Sequence, residues 1–100
     1  YPQDIEKVIE GAHDNVRTGC TAAFSIPGEM SEELVVVAEV KVKPSEKEFE
    51  AIRSEIIRHF QLIPKDIKLI APRTILKTTS GKIRRRDMRK SYMENKLTLI

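Results

Sequence analysis

The alternation of apolar and polar positions along the chain predicts six elements, in the order helix, strand, strand, helix, strand, helix. Pro2 suits the first turn of the first helix, and Gly11 with the polar residues 13–15 is expected to end it. The apolar residues at helical spacing between these limits are Ile5, Val8, Ile9 and Ala12. They predict one buried face, while Asp4 and Glu6 are expected only to favour the start of the helix.

Two strands are predicted next, joined by a short polar connection. Residues 20–26 alternate between apolar side chains and smaller or polar ones, until Pro27-Gly28 breaks the pattern. Residues 34–42 give the strongest strand pattern, apolar on both faces in its first half. Glu39 and Lys41 are expected to expose one face near its end. Because the connection is short, the two strands are predicted to pair as an antiparallel hairpin.

A second helix, a short third strand and a last helix complete the pattern. Pro44 stops the second strand, and Ser45 with Glu48 forms the sequence signature of a capping box. The predicted buried stripe of this helix comprises Phe49, Ile52, Ile56, Ile57 and Phe60. Residues 67–70 predict the third strand, and the last helix is expected to begin near Ile83. Its sparse apolar face comprises Met88 and Tyr92. The pattern therefore predicts a small compact α+β domain, with a β-hairpin and a short additional strand packed by about three helices.

The length and composition fit one domain without a membrane span. One hundred residues leave no room for a second core, and no run approaches the roughly 18 apolar residues of a bilayer span. The chain opens on Tyr1 rather than Met, which indicates a piece of a longer protein. Cys20 is the single cysteine and is predicted to be a small buried side chain. No internal disulfide is possible, which fits a reducing, cytoplasmic location. The two histidines stand at unrelated spacings, so no metal site is predicted.

Positive charge is concentrated toward the C-terminal end of the chain. The whole chain carries a formal net charge of +3, whereas residues 77–90 hold seven basic residues against the single acidic Asp87. Such a segment is typical of a surface that faces an anion, which leaves a nucleic acid, an acidic protein and a nucleotide open. A small basic nucleic-acid-binding module is the least favoured of these, because no aromatic residues alternate with the basic ones and no recognition motif occurs.

The most informative stretch is the segment 77–85, which reads Lys-Thr-Thr-Ser-Gly-Lys-Ile-Arg-Arg. Its loop residues have short side chains that disfavour regular structure, namely Thr78, Thr79, Ser80 and Gly81. Because Gly81 adopts a positive φ without steric cost, such a turn brings its backbone and the ammonium of Lys82 close to a phosphate. A P-loop is excluded, since Leu76 and Ile83 stand where that motif requires glycine and a hydroxyl residue.

This string resembles the C-terminal signature of acyl-adenylate-forming enzymes, the superfamily of acyl-CoA ligases, nonribosomal peptide adenylation domains and luciferases. The resemblance implies that Lys82 reaches the active site during adenylation, although Leu76 stands where the family usually has proline. Residues 1–6, Tyr-Pro-Gln-Asp-Ile-Glu, are similar to the stretch that follows the interdomain hinge in fatty-acyl-AMP ligases. Residues 19–25 and 35–40 also suit that branch.

The resemblance implies a domain, a reaction and a set of partners. Residues 1–100 would form the mobile C-terminal lid of a fatty-acyl-AMP ligase, without the N-terminal adenylation domain that holds most of the acyl and nucleotide pockets. The full enzyme would activate a fatty acid with ATP and Mg²⁺, and pass the acyl group to the phosphopantetheine of an acyl carrier protein. The alternative is the same domain of an acyl-CoA ligase. In either case the fragment alone is expected to be inactive and to bind no cofactor.

Roles for individual residues follow from this resemblance and from their chemistry. Lys82 would stabilise charge on the departing pyrophosphate in one domain pose and rotate away in another. The loop 78–81 would approach the phosphates. Lys77 would either steady the turn or lie close to the phosphates, without a catalytic role. Three interpretations stay open for Arg84, Arg85 and Arg86: a solvated helix face, a docking face for an acidic carrier protein, or interdomain ion pairs.

Overall fold

The observed elements follow the predicted order, in a computed structural model that describes all 100 residues. They are α1 Pro2–Glu10, β1 Val16–Pro27, β2 Glu32–Val40, α2 Glu46–Phe60, β3 Asp66–Ile70 and α3 Arg85–Met93. The predicted α+β class, with a hairpin, one further strand and three helices, is confirmed. None of these helices combines the length and the apolar character needed to cross a bilayer.

The three strands form one sheet in the order β1-β2-β3, with β2 in the centre. The pairing of β1 with β2 is antiparallel, as predicted, and β2 pairs with β3 in parallel. A parallel pair needs a crossover, and α2 supplies it. The register of the hairpin slips between Val16 and Thr21, which face Val40 and Ala38. Gly19 lies within this irregular stretch at a φ of 74°, a left-handed conformation that suits glycine.

Both faces of the sheet are covered by helices. One apolar cluster joins the sheet to α1 and α2 and includes Ile5, Ile9, Val36, Ala38, Ile52 and Ile56. The other joins the sheet to the segment after β3 and to α3, and includes Phe24, Val35, Val37, Ile75 and Met88. Since β2 contributes fully buried side chains to both clusters, it reads as apolar at successive positions. Burying each large aliphatic side chain stabilises the fold by about 1.5–3 kcal/mol relative to exposure.

The predicted capping box of α2 is confirmed, and its buried stripe is confirmed in part. The Ser45 hydroxyl accepts from the Lys47 N–H, and the Glu48 carboxylate accepts from the Ser45 N–H at 3.0 Å. Ile52 and Ile56 are fully buried. Ile57 was expected to share this stripe, but it is 41% exposed because it lies one position round the helix from Ile56.

Three further expectations are corrected. β2 ends at Val40 instead of residue 42, because the next two backbone N–H groups donate to the side chain of Asn15. Glu39 was expected on an exposed face but is fully buried, because its carboxylate accepts from Arg17 on β1 and from backbone N–H groups of the segment after β3. The last helix begins at Arg85, two residues later than expected, because Ile83 forms a β-bridge with Lys77.

The outer edges of the sheet are closed by other parts of the chain. On the β1 edge, the N–H groups of Gly19 and Ala23 donate to the carboxylates of Glu10 and Glu6 at 2.9 Å each. On the β3 edge, the Ala71 N–H donates to a carbonyl of the C-terminal segment. Capped edges leave few groups for pairing with another chain. The expectation that Glu6 only favours the helix start was therefore wrong, since it is buried against β1.

Candidate functional site

Residues 76–84 form a small β-hairpin, here called the Lys82 hairpin. Lys77 pairs with Ile83 across it, and the Thr78 N–H donates to the Lys82 carbonyl at 2.8 Å. A third bond joins the Arg84 N–H to the carbonyl of residue 76 at 2.9 Å. The sequence indicated a turn at this place, and the structure makes it the tip of a hairpin that directly precedes α3.

The short side chains of the loop stabilise its conformation. Gly81 has a φ of 85°, as is common for the last residue of a three-residue hairpin loop, and its N–H donates to the Thr78 carbonyl at 2.9 Å. The Thr78 hydroxyl accepts from the Lys82 N–H at 3.1 Å and lies 3.0 Å from the Ser80 hydroxyl. Thr79 is exposed at the tip beside them. The conformation of the loop is thus set by contacts within it.

The side chain of Lys82 is exposed and forms no ion pair within the chain, unlike the two arginines that follow Ile83. Arg84 is paired with Asp87 at 2.6 Å, and Arg85 with Glu6. An exposed ammonium without an internal ion-pair partner suits an anion such as a phosphate. No group of three or more histidine, cysteine, aspartate or glutamate side chains suited to a metal ion occurs in the chain, so its residues do not fit a Mg²⁺ site.

Glu39 holds the segment that leads into the Lys82 hairpin. Its Oε1 accepts from Arg17 Nη1 at 2.7 Å and from the Arg73 N–H at 2.9 Å, and its Oε2 accepts from the Ile75 N–H at 2.8 Å. Burial alone would raise the pKa of Glu39, but the backbone N–H donors and the Arg17 charge outweigh burial and lower it. This residue was missed as part of the site. The signal for it was one charge inside a long apolar run.

Cys20 and Lys77 meet next to this carboxylate. Lys77 Nζ lies 3.6 Å from Cys20 Sγ, which ties one strand of the hairpin to β1. Burial, with the neighbouring Glu39 charge, raises the pKa of the Cys20 thiol, which is therefore protonated at neutral pH. The prediction that Cys20 is a buried side chain is confirmed, since only 7% of it is exposed.

The three consecutive arginines have different surroundings. Arg85 makes a two-pronged pair with Glu6, with both N···O distances at 2.6 Å, and these hydrogen bonds raise the pKa of Arg85 further. This pair connects α3 to α1 across the edge of β1. Arg84 bonds to Asp87 within α3, and Arg86 is exposed without an ion-pair partner. Within this chain, therefore, Arg85 is occupied, and Arg84 and Arg86 remain accessible.

Lys82 and the loop 78–81 line none of the five main clefts of the chain, one of which reaches Leu76 at the base of the hairpin. Two open clefts share Glu33 and Lys65 and lie at the opposite end of β2 from Glu39. Neither cleft is lined by a residue of the hairpin. The chain thus presents a cation on a projecting loop without walls that would surround a substrate.

The sequence matches proteins that activate fatty acids. The long-chain-fatty-acid–AMP ligase FadD32 of Mycolicibacterium smegmatis is 32% identical over 97% of this chain, which corresponds to 19% of that protein. The medium-chain-fatty-acid–[acyl-carrier-protein] ligase JamA of Moorena producens is 33% identical over 97% of this chain and 17% of its own length. The chain thus spans less than a fifth of these curated relatives.

Solved structures and a family model agree with these matches. A fatty acid AMP ligase from Legionella pneumophila superposes with a TM-score of 0.80 and 34% identity, over 97% of this chain and 18% of that chain. The family described as "Disco-interacting protein 2-like, AMP domain" matches residues 1–100. The whole chain therefore belongs to the disco-interacting protein 2-like AMP-domain family, within the acyl-adenylate-forming superfamily that the Ser80-Gly81-Lys82 motif indicated.

Proposed function

We propose that this chain is the C-terminal lid domain of a fatty-acyl-AMP ligase and that Lys82 supplies the cation for adenylation. The observation that carries the proposal is the exposed ammonium of Lys82, which has no partner in the chain and stands at the end of an internally bonded loop. The matched relatives, whose names describe fatty-acid ligases, support the substrate class.

The chemistry of adenylation explains why a lysine suits this position. A fatty-acid carboxylate attacks the α-phosphate of ATP, and negative charge develops on the oxygen that leaves with pyrophosphate. Lys82 would stabilise that charge without gaining or losing a proton, because an ammonium is a compact point charge on a flexible stem. The loop 78–81 would lie along the phosphates, with its short side chains allowing close approach.

The remaining parts of the active site would come from the N-terminal adenylation domain. Because Lys82 and the loop 78–81 line none of the main clefts of this chain, the acyl chain, the nucleotide and Mg²⁺ would be held there, and this fragment alone would be inactive. A lid that carries a cation on a projecting loop can deliver it for one step and withdraw it for the next. Cys20 is the single cysteine and is free, which suits a reducing, cytoplasmic location.

An acyl carrier protein is the acceptor that we favour for the second step. The name of JamA describes ligation to a carrier protein, and Arg84 and Arg86 are accessible cations close to Lys82. A putative acyl-CoA synthetase from Caulobacter vibrioides, 27% identical over 93% of this chain, represents the alternative acceptor. Product analysis with the two acceptors supplied together distinguishes them: acyl carrier protein should be acylated, and a coenzyme A thioester as the main product would contradict this part of the proposal.

The test of the main proposal is Lys82→Ala in the full-length enzyme. Loss of one preorganised electrostatic contact is expected to slow acid-dependent pyrophosphate release by about 10²- to 10³-fold. Acyl transfer from supplied acyl-AMP should be unchanged, because that step uses the other domain pose. Lys90→Ala, which removes an exposed lysine of α3 outside the hairpin, is the matched control and should leave both steps intact. Wild-type pyrophosphate release by Lys82→Ala would refute the role of Lys82.

A further inference from the structure

We propose that Glu39 is a positioning residue for Lys82, whose buried carboxylate fixes the direction in which the Lys82 hairpin leaves the sheet. This inference rests on the proposed role of Lys82 in adenylation. It concerns a residue 43 positions earlier in the sequence, on the central strand, that does not itself reach the phosphates.

The carboxylate of Glu39 is fully buried, yet it is completely occupied. Its donors are the guanidinium of Arg17, 22 residues away, and the backbone N–H groups of Arg73 and Ile75, which are 34 and 36 residues away. A buried carboxylate without such partners would cost several kcal/mol. The two backbone donors both belong to the connection between β3 and the hairpin, so the carboxylate of Glu39 binds the backbone of that connection.

The connection adopts a conformation that needs support. Arg73 has a φ of 64°, which is unfavourable for a residue other than glycine, and its N–H is one of the groups that Glu39 holds. Two residues later, Ile75 is bonded through its N–H and packs its side chain into the apolar cluster under α3. The hairpin begins with the very next residue, whose carbonyl accepts from Arg84. The contact with Glu39 is thus one residue from the first hydrogen bond of the hairpin.

Several contacts support the hairpin. Its five loop and strand hydrogen bonds are internal, so they fix its shape without fixing its angle to the sheet. At its base, the Leu76 N–H to Met88 Sδ bond at 3.3 Å and the Lys77 Nζ to Cys20 Sγ contact both involve the weak acceptor sulfur. Leu76 and Ile83 also pack against the apolar cluster under α3, and Arg84 pairs with Asp87. Among the side chains of the sheet, Glu39 alone supplies charge-assisted bonds from a fully buried carboxylate to the backbone of the segment that leads into the hairpin. The position of the Lys82 ammonium therefore depends on Glu39.

Glu39→Gln removes the charge and changes the hydrogen-bond acceptors of the side chain, while it keeps the shape of the side chain. The amide has nearly the same size, but it places an NH₂ donor where the carboxylate had an acceptor, so that either Ile75 or Arg73 loses its partner. In the full-length enzyme we expect pyrophosphate release to slow by about 10- to 100-fold. A catalytic group that is misplaced by about 1 Å can lose about 100-fold in rate. Transfer from supplied acyl-AMP should remain at the wild-type rate.

Glu48→Gln is the matched control for a purely structural effect. Glu48 is also a buried carboxylate with hydrogen bonds from a side-chain amide and a backbone N–H, but it lies at the start of α2, away from the hairpin. It should lower the unfolding temperature without slowing pyrophosphate release, when both variants are assayed well below their unfolding temperatures. Equal slowing in the two variants would overturn the positioning role.

A double-mutant cycle connects Glu39 to Lys82. If Glu39 acts by placing Lys82, Glu39→Gln should cause no further slowing in the Lys82→Ala enzyme, whereas multiplication of the two effects would contradict the inference. Arg17→Gln removes only the charged partner of Glu39. It should slow pyrophosphate release less than Glu39→Gln does and should also leave acyl transfer unchanged, so it provides the test if Glu39→Gln folds poorly. If pyrophosphate release is slow in Lys82→Ala but normal in Glu39→Gln, this inference alone is refuted. If pyrophosphate release is normal in Lys82→Ala, the proposed function is refuted.

Discussion

The side-chain amide of Asn15 joins three segments that are distant in sequence. Its Nδ2 donates to Glu48 Oε2 at 2.7 Å and to the Val42 carbonyl at 3.1 Å, while its Oδ1 accepts from the N–H groups of Lys41 and Val42 at 3.0 Å. The hydrogen bond from Asn15, together with the Ser45 N–H, lowers the pKa of Glu48 to about 2. One amide thus ends β2, supports the start of α2 and keeps a buried carboxylate ionised.

This arrangement predicts a stability that depends on acid pH. The ordinary pKa of Glu48 is 4.5, so its ionised form stabilises the fold fully above that pH. The contribution should be lost as pH falls from about 4.5 toward about 2, where the folded state must also take up a proton. Urea unfolding at a series of pH values should show a shallower loss of stability in this window for Glu48→Gln than for the wild type.

The exposed Glu46 in the first turn of α2 provides the control, since Glu46→Gln should leave the slope with pH unchanged. A Glu48→Gln variant that loses stability with acid as steeply as the wild type would contradict the assignment.

Asn15→Ala should be destabilised by about 1–3 kcal/mol at neutral pH, because it leaves buried groups without partners.

The Lys82 hairpin is an element whose shape depends on one glycine. The φ of 85° at Gly81 costs a residue with a Cβ about 1–2 kcal/mol, and no heavy atom lies within 4 Å of where that Cβ would be. Gly81→Ala therefore changes backbone strain without a clash. We expect several-fold slower pyrophosphate release and an unfolding temperature lower by a few degrees, because the strain is present only in the folded loop. Gly11→Ala, at a φ of −90° in the right-handed region, should affect neither quantity.

The elements themselves follow from the sequence, whereas the polar contacts between them do not. Apolar periodicity located all three helices and three strands, because burial of apolar faces is what forms these elements. The sequence placed Glu39 on an exposed face and gave Glu6 only a role at the helix start, because the partners of these carboxylates are not near them in sequence. Arg17 and Ile75 bind Glu39, and Arg85 binds Glu6. A pattern along the chain carries no information about which distant donor will satisfy a buried carboxylate.

In the candidate site too, features that depend on local residue types were predictable, whereas features that depend on pairing between segments were not. The Ser80-Gly81-Lys82 motif located the lysine and the glycine-containing turn, since both depend on local residue types. The hairpin was not predicted, because each of its two strands is only a few residues long and lacks the alternation of a regular strand. Ile83 was accordingly assigned to the start of the last helix, although it pairs with Lys77.

At the scale of the whole molecule, accessible basic side chains lie close to Lys82, where an acidic carrier protein would dock under the proposed function. Arg84 and Arg86 are exposed, whereas Arg85 is committed to Glu6. Reversing the charge of Arg86 to Glu should slow transfer to an acidic acyl carrier protein and reduce the salt dependence of that step. Acyl-AMP formation should be unaffected.

Arg53→Glu is the control for this charge reversal, because it changes an exposed arginine on α2, which packs on the other face of the sheet from α3. Stopped-flow measurement of each half-reaction at several salt concentrations gives the answer. If Arg86→Glu slows both half-reactions equally, the arginine contributes to domain pairing or folding instead of carrier docking.

Glu39 also affects how this protein avoids aggregation while it is being made. It is the only charged residue in the stretch 34–40, which otherwise contains leucine, valine and alanine. Short apolar segments of this kind stack into cross-β fibrils when they are exposed. β2 receives its second neighbour only after the chain has been synthesised as far as β3, so the stretch is left uncovered on one side until then. Stacking identical copies would bring Glu39 carboxylates into register, and their repulsion opposes fibril growth. An acidic residue at position 39 therefore opposes fibril formation by β2, whether or not it also positions Lys82.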